Sequence, residues 1–79
     1  MSKASLKTAY DRLSWDEQVA INICIKLRQL GLNHIDLAQR LGLPRSSISR
    51  RLRGEYKFAI GELIIIAEYF KCDISEFLP

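Results

Sequence analysis

Cysteine is scarce in this sequence. Cys24 and Cys72 stand far apart, and neither belongs to a C-x-x-C pair. That pattern argues against a disulfide framework or a thiolate metal site and predicts two free, buried or half-buried thiols. His34 is the one histidine, so there is no Cys/His cluster for a metal. The four glycines form no phosphate-cradling loop. No apolar run approaches the roughly 20 residues that span a bilayer. The opening stretch MSKASLKTAYDRLSW lacks the uninterrupted apolar core of a signal peptide. No linker, internal repeat or low-complexity segment stands out. The expectation is a cytoplasmic protein with no cofactor, no metal, no membrane attachment and no evident small-molecule ligand.

The chain has 79 residues, 48% of them apolar, which is ordinary for a globular domain and too much for disorder. A domain this small buries only about 60% of the surface its unfolded chain exposes. A locally connected helical bundle meets that constraint. Net charge is +3, unevenly spread. Residues 1–57 carry 11 of the 12 Lys/Arg against 5 of the 9 Asp/Glu, a net +6, and residues 58–79 carry a net −3. A basic front and an acidic back suit a protein that shows one face to a polyanion.

Residues 1–13 read either as a short amphipathic helix, with Leu6, Tyr10 and Leu13 at helical spacing, or as a frayed extension. Residues 14–79 read as the domain proper. Ser14-x-x-Glu17 has the form of a capping box. The helix it opens is predicted over Trp15 to Leu30, ending at Gly31, with Val19, Ile23, Leu27 and Leu30 inward. Ile21 and Ile25 fall on the opposite side. Asn33 is a good N-cap with Asp36 three residues on, for a helix His34 to Leu41 that turns Leu37 and Leu41 inward. Gly42 can take the positive φ that reverses the chain, and Pro44 belongs in the turn or at the first position beyond it.

The next helix spans about Arg45 to Arg53. Ile48 and Leu52 point inward, and Ser46, Ser49, Arg50 and Arg53 lie on the far side. Gly54 ends it, and Glu55 to Phe58 is a loop. A fourth helix is predicted from Ile60 to Lys71, with Ile60, Leu63, Ala67 and Phe70 inward and Ile65 and Tyr69 outward. Asp73 caps a last turn that drops Ile74, Phe77 and Leu78 onto the core. Two short helices across a tight Gly-Leu-Pro break, the second with arginines on its free face, read as a helix-turn-helix aimed at a DNA major groove.

The run Leu32-Asn33-His34-Ile35-Asp36-Leu37-Ala38-Gln39-Arg40-Leu41-Gly42, with Ser47-Ile48-Ser49-Arg50 and Gly54, resembles the phage repressor and Cro-like (lambda-repressor-like) helix-turn-helix family. Ile60 to Leu78 is similar to that family's last two helices. The resemblance covers about residues 17–78. It implies an all-α, five-helix bundle that binds operator DNA, usually as a dimer on a two-fold site. Three departures stand out. His34 replaces the family's usual glutamine. Leu27 and Leu52 replace an Arg–Glu pair, which predicts an apolar contact between them. Arg51 replaces an apolar residue, so its stem is expected to cover apolar surface.

Arg45, Ser46, Ser49 and Arg50 are therefore the expected base contacts, with arginine able to give two hydrogen bonds to guanine O6 and N7. Asn33, His34, Arg51, Arg53 and Lys57 are the expected phosphate contacts, which position the protein without reading sequence. The function expected is a sequence-specific double-stranded DNA-binding transcriptional regulator, a phage or bacterial repressor and not an enzyme. The alternative is a protein-interaction module or antitoxin on the same fold, motivated by Ile21, Ile25, Ile65 and Tyr69. Ile65, Tyr69 and Ile74–Pro79 are the expected dimer contact. No acid pair sits in an apolar helix face, and Glu68 reads as a solvated charge.

Overall fold

Local signals start and stop each helix. In the computed structural model, which describes residues 9–79, the elements are α1 (Trp15–Gln29), α2 (His34–Leu41), α3 (Arg45–Leu52), α4 (Ile60–Phe70) and a closing 3-10 helix (Ile74–Phe77). No strand occurs among the described residues. Ser14 Oγ accepts from the Glu17 N–H at 3.2 Å, and the Ser14 N–H donates to Glu17 Oε1 at 3.1 Å. Asn33 and Asp36 form the same reciprocal pair at 3.0 and 2.9 Å. Each box pairs helix-end donors that have no partner within the helix.

The four α-helices share one way of stopping. The N–H groups of Leu32, Leu43, Glu55 and Cys72 reach back to the carbonyls of Leu27, Ala38, Arg50 and Ala67 at 2.9–3.1 Å. This six-residue closure needs a left-handed residue just before the donor. Gly31, Gly42 and Gly54 supply it in three cases; Lys71, at φ 55°, supplies it in the fourth. Gly54 has a second reason to be glycine. A Cβ there would lie 2.8 Å from Glu17 Cγ and 3.3 Å from Glu17 Cα, so the end of α3 sits directly on the start of α1.

The core has a simple centre. Ile23, Leu37, Ile48, Ile66 and Phe77 are fully buried, one from each of the five helical elements. Around them pack Val19, Leu27, Ala38, Leu52, Leu63, Ala67 and Phe70 in one continuous cluster. Leu27 and Leu52 are both buried in that cluster. Residues 9–11 add one helical turn. The Gln18 side-chain amide donates to the carbonyls of Tyr10 and Leu13, and the Asn22 amide donates to Tyr10 Oη and the Phe77 carbonyl. Asn22 thus ties both ends of the chain to α1. Leu6 and the rest of residues 1–8 lie outside the described residues, so the expectation for that segment stops at its last turn.

Three inward or outward assignments differ from expectation. Leu30 is 45% exposed, because α1 stops at Gln29 and Leu30 is its C-cap. Ile60 is 69% exposed. It opens α4, where side chains lean toward the helix N-terminus and past the end of the core. Tyr69 is half-buried against the cluster, with the Arg40 guanidinium 5.5 Å from its ring centre, instead of pointing outward. Ile66 and Phe58 are core residues that the sequence pattern did not single out. Ile21, Ile25 and Ile65 are exposed, as their spacing predicts.

The closing turn is held by charge as well as packing. Lys26 Nζ meets Glu76 Oε1 at 2.6 Å, and Asp73 Oδ1 accepts from the Ser75 N–H at 3.0 Å. The Lys26 hydrogen bond holds the Glu76 carboxyl below the usual glutamate range, and the Ser75 backbone holds Asp73 below the usual aspartate range. The same Glu76 hydrogen bond raises the Lys26 ammonium above its usual value. Burial raises both thiols, Cys24 and Cys72, which are free and half-buried.

Two outcomes follow. Gly54→Ala combines a left-handed backbone with a close approach to Glu17 and lowers unfolding stability by about 2 kcal/mol or more, read from urea denaturation. A variant as stable as the parent contradicts that packing. Depressed carboxyl pKa values give a contribution present above the ordinary carboxylate range and lost as pH falls through the lower folded values. Protection factors of the Asp73–Phe77 amides, corrected for the intrinsic exchange rate at each pH, therefore fall on acidification before those of the α1–α4 core; protection that stays uniform down the acid range contradicts it.

Candidate nucleic-acid interface

Helix α3 is eight residues long, too short to hold its orientation unaided. Ile48 and Leu52, one turn apart and buried, fix its rotation about its own axis. The same rotation exposes Arg45, Ser46, Arg50 and Arg53 and leaves Ser49 half-buried. Gly42, at φ 67°, and Pro44, at φ −60° and ψ 149°, set the turn that delivers α3 against α2. Pro44 is the N-cap and provides no side-chain cap. α3 therefore differs from α1 and α2, whose first turns are closed by capping boxes. Its leading amides remain open to an anion.

The arginines of this segment fall into three settings. Arg51 donates from Nε to Glu62 Oε1 at 3.2 Å and from Nη1 to the Ser47 carbonyl at 3.4 Å. Glu62 Oε1 also accepts from the Ala59 N–H at 2.9 Å, so one carboxylate caps α4 and grips α3. Arg51 thus works in the α3–α4 contact. Arg53 Nε pairs with Glu55 Oε2 at 2.6 Å, both side chains being largely exposed. Arg50 carries its guanidinium 5.9 Å from the centre of the Tyr56 ring. Arg45 has no ion pair or ring contact among the described residues.

The other expected contacts are exposed at the two flanks. Asn33 and His34 sit at the start of α2, and Lys57 lies in the loop beyond α3. Asn33 accepts the Asp36 N–H at its side-chain oxygen, and its NH₂ group has no partner among the described residues. His34 and Asn33 border a pocket of about 240 Å³ with Cys24, Leu27, Arg28 and Leu32. Arg28 was not among the expected contacts. Its signal was available: it sits in the last turn of α1, just before the chain turns into α2. Tyr56 was also missed, since an aromatic residue in a loop carries no periodicity.

The Helix-turn-helix family model matches residues 25–77, most of the chain. No curated protein and no solved structure gives a match. The match spans the end of α1, both helices of the motif, α4 and the closing 3-10 helix, the elements that build the core and its arginine-bearing face. The chain belongs to the helix-turn-helix family, of the phage repressor and Cro-like type, a family of DNA-binding domains.

Proposed function

We propose that this protein is a sequence-specific regulator of transcription that occupies a two-fold DNA site as a homodimer, a repressor of phage or bacterial type. The observation that carries the reading is the outward pair Arg45 and Arg50 on a helix whose N-terminus is uncapped. A major groove about 12 Å wide admits one such helix. The N-terminal end enters deepest, so Arg45 and Ser46 lead, with Ser49 and Arg50 one turn behind. Guanine is the natural partner for either arginine.

Phosphates on one strand meet Asn33, His34 and Arg28 at the start of α2, where the helix dipole adds to the charge. Arg53 and Lys57 meet phosphates at the far end of α3. Arg53 can exchange Glu55 for a phosphate at little cost, because an exposed ion pair contributes at most about 1 kcal/mol. Arg51 is assigned to holding α3 on α4. For the dimer, Ile60, Ile64 and Ile65 supply exposed apolar surface on α4. No helix among the described residues is long and apolar enough to cross a membrane.

Selection of bound duplexes from a random pool tests the reading. The wild type enriches a palindromic motif containing guanines, and a double Arg45→Ala, Arg50→Ala variant loses it while remaining folded. If a dimer neutralises about six to eight phosphates, affinity drops by about 10³–10⁵ between 50 and 200 mM salt. A salt slope near zero, or an unchanged motif from the double variant, overturns it.

A further inference from the structure

We propose that Tyr56 is a positioning residue for Arg50: its ring holds the guanidinium ready to meet a base while leaving every N–H donor free. The inference rests on the reading that Arg50 contacts a base edge. Its basis is a contrast among neighbouring arginines. Arg51 and Arg53 each give their Nε–H to a carboxylate, which fixes those side chains by spending a donor. Arg50 is instead set 5.9 Å from the centre of an aromatic ring. A guanidinium attracted to a ring by its face keeps its donating edge open. The ring restrains a long side chain without competing for the hydrogen bonds that read DNA.

The backbone puts the ring there. Gly54, at φ 79°, turns the chain at the end of α3, and the Glu55 N–H closes on the carbonyl of Arg50 itself at 3.0 Å. The chain is thereby folded back along α3, and Tyr56 follows directly beside the arginine. Tyr56 is 54% exposed and lies outside the core cluster, so the fold does not depend on it. An exposed tyrosine with no core role, set beside the α3-segment arginine whose partner takes none of its donors, is explained by that arginine's task.

The experiment compares the full chain with Tyr56→Phe, Tyr56→Ala, Arg50→Ala and the double variant. Each is measured on the selected duplex, on duplexes changed at one guanine, and on a random duplex. Tyr56→Phe keeps wild-type discrimination, because the ring remains. Tyr56→Ala loses about 2–5-fold discrimination at one base position, the range expected of an exposed cation–π contact. Its affinity for random DNA stays level. In the Arg50→Ala background, removing Tyr56 has no further effect. The proposal is overturned if Phe fails as badly as Ala, which would make the hydroxyl a phosphate contact. It is equally overturned if Ala weakens all sequences alike, or if its effect survives without Arg50. If Arg50→Ala leaves every position unchanged, the base-reading premise itself falls, and that result is distinct from the others.

Discussion

Burial of one fully enclosed side chain from each of five helical elements is the constraint on which this molecule rests. Ile23, Leu37, Ile48, Ile66 and Phe77 meet at the centre, one from each of α1–α4 and the closing 3-10 helix. A chain of 79 residues has little surface to hide, so no helix can be a passenger. The consequence for function is rotational. Once Ile48 is enclosed and Leu52 follows one turn later, α3 has one orientation, and its arginines have nowhere to go but the surface. The same burial that stabilises the domain therefore presents the basic face.

On that face, identical side chains do different work because their neighbours differ. Arg51 is an internal tie, sharing Glu62 with the first turn of α4. Arg53 is loosely paired and exchangeable. Arg50 is steered by a ring, and Arg45 projects beside an uncapped helix end. The acidic back of the chain is not spread idly either. Glu62 engages α3, and Asp73 and Glu76 fasten the closing turn. The charge asymmetry that suggested a polyanion partner is thus partly structural glue, and the charge available to DNA is smaller than the count implies.

The sequence disclosed what short-range rules govern. The Ser14 capping box, the Asn33 N-cap, the glycine reversals at positions 31, 42 and 54, and the inward pair Ile48 and Leu52 all depend on residues within one or two turns of each other. It disclosed less where distance intervenes. In α4, IGELIIIAEYF is apolar on nearly every side, so periodicity alone could not choose Ile66 over Ile60 as the enclosed residue. Phe58 sits in the loop before α4 and still joins the core cluster, which no periodicity signals. Which carboxylate would claim which arginine was equally hidden, since Glu62 and Arg51 are joined by folding and not by helical spacing. The candidate site was legible as a face and illegible as a set of separate environments.

The central claim is that the N-terminal half of α3, with the start of α2, is the surface that meets duplex DNA. Amide chemical-shift mapping of the labelled protein during titration with a short duplex reads this residue by residue. The account predicts the largest changes at Arg45–Arg50 and at Asn33–His34, with α4 and the closing turn little affected by the DNA itself. Changes centred on α4 while Arg45–Arg50 stay unperturbed would contradict it.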